Sequence, residues 1–156
     1  MATYTYWRRL QRHKMDDNIK KMRVLKVSPD EIAFQKQDDY ELVKHILDWI
    51  ELHYQNSDMK VDDIVAQSSL SRTSFYNQLK ALTGLSPKEF VSDFRLKKAS
   101  MFLENDGYTI AEVAYKTGFN DPVYFARIFK QKFGITPSKY RDSMQNKVNN
   151  DNIGKQ

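Results

Sequence analysis

Eight residues at helical spacing are the part of this sequence best suited to chemistry with a partner. Val123, Ala126, Arg127 and Lys130 follow i, i+3, i+4 and i+7, as do Thr73, Tyr76, Asn77 and Lys80 fifty positions earlier. On a helix each set makes one strip along one face. The chemistry suits the major groove of duplex DNA: an Arg127 guanidinium offers two donors to a guanine edge, and an Asn77 amide matches an adenine edge. Val123 and Ala126 are small enough for close approach and can touch thymine methyls. Lys80 and Lys130 reach further and suit phosphates, with Lys80 also placed to meet a base edge. An ordinary solvated helix face is the plain alternative for any one position. It does not account for apolar Val123 and Ala126 in a strip that recurs.

Such strips need short helices held by tight turns, and the flanking residues supply them. Thr109-Ile-Ala-Glu112 reads as a capping box, in which a hydroxyl and a carboxylate satisfy free amides at a helix start. Gly118 suits a left-handed stop about two turns later. Asp121 and Pro122 restart a helix as N-cap and first helical residue, Gly134 stops it, and Thr136-Pro137 opens another. Two helices joined by so short a turn cross steeply, as in a helix-turn-helix. The same grammar occurs twice. Adding 50 to Phe75, Leu79, Lys80, Gly84, Ser86, Pro87 and Phe90 reaches Phe125, Phe129, Lys130, Gly134, Thr136, Pro137 and Tyr140. Upstream the offset is 49, pairing Val61, Ile64 and Leu70 with Ile110, Val113 and Phe119, because the second turn carries one extra residue, Asn120. Two copies are too few for a solenoid and make two similar lobes.

The remaining elements follow from periodicity. Asp39 to about Tyr54 is expected to be an amphipathic helix with Leu42, Val43, Ile46, Leu47 and Ile50 on one stripe. Ser86-Pro87-Lys88-Glu89 starts a long helix through Phe90, Phe94, Leu96, Met101 and Leu103. Residues 24–34 read as more extended, and Asn146–Gln156 as a frayed polar tail. Phe125, Ile128, Phe129 and Phe133 share a stripe, as do Phe75, Leu79 and Leu82. Stacking on unpaired bases is one use for such rings. Small lobes need large side chains to build a core, so these aromatics are assigned to the buried side.

Composition bounds the rest. Few Gly and Pro residues (five and four in 156) with long helical periodicity favour an all-α fold. The absence of Cys excludes disulfides, thiol catalysis and Cys-based zinc sites. Charge is segregated: residues 1–28 carry eight Lys/Arg against two Asp/Glu, residues 29–63 three against ten, and residues 64–141 twelve against six. The acidic third is expected to face away from a polyanion and the last block toward it. His13, His45 and His53 are the only histidines, and His45 and His53 stand two turns apart rather than the single turn of a metal-binding pair. With no Gly-rich phosphate loop or Ser/His/Asp set, no enzyme, metal or cofactor is expected, and no small-molecule pocket is visible. No apolar run approaches the roughly 18–20 residues that cross a bilayer. Met1–Lys26 is aromatic then basic, without a signal peptide's apolar core.

The chain resembles the DNA-binding domain of AraC/XylS transcriptional regulators over about Asp39 to Arg141. The matching residues are "RLKKASMFL" at Arg95–Leu103, "IAEVAYKTGF" at Ile110–Phe119 and "YFARIFKQKFGITPSKYR" at Tyr124–Arg141. The first copy, "SLSRTSFYNQLKALTGLSPKEF", is similar to that family's first reading unit. The "LKVSPDEIAF" lead-in and acidic helix resemble the output domain of hybrid two-component or membrane-anchored regulators of the Bacteroidetes. The resemblance implies about seven helices: two helix-turn-helix subdomains joined by a long central helix, after a short N-terminal extension. The domains are then a basic extension at 1–37, a DNA-binding domain at 38–145 and a disordered tail at 146–156. Within the middle part, lobes at about 38–85 and 108–142 flank a linker helix at 86–105.

Double-stranded DNA is the implied partner, read by helices at about 72–82 and 122–133 set roughly 34 Å apart. Base contacts fall to Thr73, Tyr76, Asn77, Lys80, Val123, Ala126 and Arg127. Phosphate contacts fall to Ser71, Arg72, Lys88, Asn120, Lys130, Lys139 and Arg141. Regulation is expected to be activating, with RNA polymerase and an upstream sensor domain or protein as further candidate partners. A cytoplasmic location is expected. Tyr4, Tyr6 and Trp7 before Arg8-Arg9 also resemble the cytoplasmic flank of a membrane span, against an exposed basic helix as the alternative. A helical protein-interaction module and RNA binding are the rival functions.

Overall fold

The computed structural model describes residues 29–105 and 107–153, with side chains between 38 and 148 apart from 40 and 106. The described residues form seven helices and no strand: α1 Pro29–His53, α2 Val61–Val65, α3 Arg72–Thr83, α4 Pro87–Leu103, α5 Ile110–Lys116, α6 Pro122–Phe133 and α7 Pro137–Ile153. The all-α expectation holds, and from Val61 onward the helix starts fall where the sequence placed them. Thr109 Oγ1 accepts from the Glu112 amide at 3.1 Å while the Glu112 carboxylate accepts from the Thr109 amide at 2.7 Å. Ser86 and Glu89 repeat this at 3.3 and 2.7 Å. Gly84, Gly118 and Gly134 all hold positive φ at helix ends.

Two elements differ from expectation. α1 begins at Pro29, ten residues before the expected Asp39, so the segment read as extended is helical from Pro29 onward. The reason is the start signal already used elsewhere in the chain: a proline at the first helical position, then acidic Asp30 and Glu31 in the first turn. Residues 1–28 of the basic extension lie outside the described residues, as do the last three of the expected tail. α7 runs on to Ile153, past the point where fraying was expected at 146, because no Gly or Pro interrupts it before Gly154. Asn146, Lys147 and Val148 are exposed, so this extension rests on backbone bonding rather than burial.

The chain divides into two compact units, and the division cuts across the expected lobes. The first unit includes residues 60–90 and the bulk of α1; the second combines Leu52–Met59 with Val91 onward. In the first unit Val43, Ile46, Ile50, Ile64, Phe75, Leu79, Leu82 and Phe90 are buried. α2 packs on α3, and Gln78 donates to Asp39 at 2.8 Å, tying α3 to α1. In the second unit Leu96, Ala99, Leu103, Val113, Ala114, Phe119, Phe125 and Phe129 form one core, with Ile128, Phe133 and Tyr140 packed against it. Ring centroids of Phe119–Phe125, Phe125–Phe129 and Phe129–Phe133 lie 5.1, 5.7 and 4.4 Å apart. The aromatic stripe is core, as its spacing required.

The segment 52–59 joins the second unit through Arg95, which donates from Nε to the Tyr54 carbonyl at 2.9 Å and from Nη2 to the Asn56 carbonyl at 2.8 Å. Burial pushes the Arg95 guanidinium below its ordinary value. Tyr54 packs on Phe94 with ring centroids 5.6 Å apart.

The two capping boxes make stability depend on pH. A backbone amide, then a hydroxyl, then a nearby lysine hold the Glu89 and Glu112 carboxyls below the ordinary value of 4.5. A carboxyl depressed in the folded state contributes stability above its unfolded value and loses it as pH falls through the folded one. The wild type should therefore lose melting temperature below about pH 4.5 more steeply than a Glu89→Gln/Glu112→Gln double variant. Parallel curves over that window would rule this out.

Candidate nucleic-acid interface

Each lobe presents its strip because of what the opposite face of the helix buries. In α6, Asp121 caps the start by accepting from the amides of Val123 and Tyr124 at 2.9 and 3.2 Å, with Pro122 as first helical residue. Phe125 and Phe129 are fully buried. The helix is thereby oriented, and Val123, Arg127 and Lys130 are exposed with Ala126 half-buried between them. Val123 is 80% exposed. The Arg127 guanidinium lies 5.3 Å from the Tyr124 ring centroid, which steadies it without using its donors.

α3 repeats the arrangement. Ser71 caps it by accepting from the Ser74 amide at 3.2 Å. Phe75, Leu79 and Leu82 point inward, while Thr73, Asn77 and Lys80 are exposed and Tyr76 is half-buried. Lys80 Nζ stands 4.0 Å from the Glu89 carboxylate. Both predicted strips are present as continuous surfaces, each within its own unit.

The expected phosphate contacts divide into two groups. Asn120, Lys88, Lys130 and Lys139 are exposed, and Lys88 and Lys139 sit in the first turns of α4 and α7, where helix dipoles favour anions. Ser71 is exposed but engaged as a cap. Arg141 is half-buried: its Nη2 donates to the Tyr108 carbonyl at 2.5 Å, and its buried Nε has no hydrogen-bond partner. Its first role is to hold the turn before α5. Arg72 pairs with Asp62 through Nη1 and donates from Nη2 to the Tyr76 hydroxyl at 3.2 Å.

That pair corrects one expectation. The acidic stretch 29–63 was expected to face away from the reading surface, yet Asp62 stands against the first residue of α3. Whole-segment charge does not resolve single positions. The contact between Arg95 and the Tyr54 carbonyl was not anticipated, because it spans 41 positions and involves a backbone acceptor.

A capped, aromatic-backed helix behind a tight turn, built twice, defines a bipartite helix-turn-helix DNA-binding domain. Residues 55–143 match the family described as a helix-turn-helix domain. The chain belongs to the AraC family of transcription regulators, as its DNA-binding domain. It is 34% identical over 116 residues to histidine kinase P4 of Formosa agariphila, covering 74% of this chain and 8% of that protein. It is 32% identical over 96 residues to the transcriptional activator RhaS of Escherichia coli, covering 62% of this chain and 34% of that protein. Among solved structures it is similar to the DNA-binding domain of AdpA in complex with a target DNA, with TM-score 0.62 and 27% identity over 68% of this chain and 94% of that one. The chain thus spans about a third or less of these two curated relatives. Among the described residues no helix is long and apolar enough to cross a membrane.

Proposed function

We propose that this chain binds double-stranded DNA sequence-specifically as the output domain of a transcription regulator, with α3 and α6 entering adjacent major-groove segments. The observation that carries this reading is the exposed strip on each helix, in equivalent register, backed by buried phenylalanines. The AdpA domain, solved with its target DNA, supports the mode of binding, and RhaS, named an activator, supports activation. RNA polymerase and a sensor region are the further partners, the latter supported by the small share of the relatives' length that this chain spans. A cytoplasmic site of action accompanies this function.

Selection of bound sites from random duplex DNA tests the proposal. The expected site covers about 15–20 base pairs without internal two-fold symmetry, because the two lobes differ in sequence. Affinity should fall steeply with salt as phosphate contacts release counterions. Recovery of unrelated sequences, or equal binding to RNA, would overturn it.

Within a selected site, Arg127→Ala should weaken binding by about 1–3 kcal/mol and relax preference at one base pair. Lys130→Ala should weaken binding evenly across sequences and flatten the salt dependence by about one unit of slope. Swapped behaviour of the two variants would refute both roles.

A further inference from the structure

The two lobes differ at three positions that change together. In the first lobe Asp62, Arg72 and Tyr76 form a connected set: Arg72 Nη1 pairs with the Asp62 carboxylate, and Nη2 donates to the Tyr76 hydroxyl at 3.2 Å. The guanidinium carbon also lies 5.2 Å from the Tyr76 ring centroid. The internal repeat places Ala111, Pro122 and Ala126 at the corresponding positions of the second lobe. Carboxylate, guanidinium and phenol are all replaced by groups that cannot make any of these bonds. The set is therefore a feature of the first lobe alone.

We propose that Asp62 is a positioning residue that sets base preference in the first lobe by acting through Arg72 on Tyr76. The inference rests on the DNA-binding reading above and adds to it a specificity device. The chemistry follows from donor and acceptor roles. Arg72 donates to the phenol oxygen, so the Tyr76 proton is left to point outward. Outward from α3 lies the strip shared with Thr73, Asn77 and Lys80. Tyr76 then presents a fixed donor and selects a base with an acceptor edge, such as a purine N7 or a thymine O4. Without a partner for Arg72, the phenol would rotate freely and accept or donate alike.

Asp62 has a second effect. Arg72 is the first residue of α3, where an unpaired guanidinium would reach for backbone phosphate on any sequence. Pairing with Asp62 cancels that charge locally and holds the fork in place. The side chains of Arg72 and Asp62 are 59% and 68% exposed, so the pair contributes little to folding. Its effect lies in discrimination: the carboxylate suppresses sequence-independent attraction while orienting a sequence-dependent contact.

The test uses the whole chain with three probes: a duplex selected by the wild type, the same duplex with each base pair replaced in turn, and a random-sequence duplex. Asp62→Ala should bind the random duplex more tightly and steepen the salt dependence by about 0.9 in log–log slope. At a single base pair its discrimination should fall about 3–10-fold, the worth of one hydrogen bond. Tyr76→Phe should lose discrimination at that same base pair with an unchanged salt slope. Combining Tyr76→Phe with Asp62→Ala should cost no further discrimination, and Asp62→Glu should restore most of it. A wild type that selects sites while Asp62→Ala keeps both its salt slope and every base preference overturns this inference alone. A wild type that selects no duplex overturns the DNA reading and this inference together.

Discussion

Replacing Gly118 by alanine should destabilise the second unit by about 3–6 kcal/mol and remove its share of DNA affinity. Gly118 holds φ +88°, and a Cβ there would lie 2.0 Å from the Tyr54 carbonyl oxygen and 2.6 Å from Arg95 Nε. Those two atoms are already bonded to each other at 2.9 Å, so neither can yield without breaking a charge-assisted hydrogen bond. The left-handed conformation adds about 1–2 kcal/mol for any residue with a Cβ. The turn is also tied from within: the Phe119 amide donates to the Ala114 carbonyl at 3.0 Å and the Gly118 amide to the Tyr115 carbonyl at 3.2 Å, a Schellman stop. Gly84 and Gly134 supply the comparison. They hold φ +75° and +80°, but a Cβ at either would meet nothing within 4 Å. Gly84→Ala and Gly134→Ala should therefore cost only the backbone component, about 1–2 kcal/mol each. Denaturant unfolding of the three variants checks the ranking. A Gly118→Ala melt no worse than that of Gly134→Ala would show that the Tyr54–Arg95 contact does not confine this turn.

Gly118 also shows what a sequence can and cannot display. Its role as a helix stop was legible, because Thr109, Glu112 and the apolar spacing of α5 require a stop at that distance. Its close approach to Tyr54 was not, because nothing local marks which carbonyl of residues 52–59 will accept from Arg95. The same contrast holds along the chain. Local signals set both strips, both capping boxes and the aromatic core, since each depends on residues within one or two helical turns. The start of α1 was equally local, a proline with acidic residues just after it, yet residues 24–34 were read as more extended. The Asp62–Arg72 pair lies ten positions apart across a turn, and the bulk charge of its segment pointed the other way. Comparing the two copies position by position, Asp62 with Ala111 and Arg72 with Pro122, was the available clue.

Phe129→Ala should destabilise the second unit by about 3–5 kcal/mol, the usual cost of removing a fully buried phenylalanine. Phe129 has no exposed surface and meets three rings, with centroids of Phe125, Phe133 and Tyr140 at 5.7, 4.4 and 5.5 Å. Those contacts join α6 to α7 as well as filling the core, so the cavity would lie where the rings of two helices meet and could not collapse by shifting one of them. Arg127 lies two residues away on the same helix but on the exposed side. Its replacement by alanine should leave the melting temperature unchanged within about 0.5 kcal/mol while altering base preference. The two variants are thus expected to separate cleanly: Phe129→Ala lowers hydrogen-exchange protection across α5 and α6, and Arg127→Ala does not. At temperatures where Phe129→Ala remains folded, its base preferences should match those of the wild type, because the strip itself is unchanged. An altered preference in that folded population would mean that the buried ring also sets the orientation of the strip. An unchanged melting curve would mean that Phe129 is not part of the core that holds α6 in place.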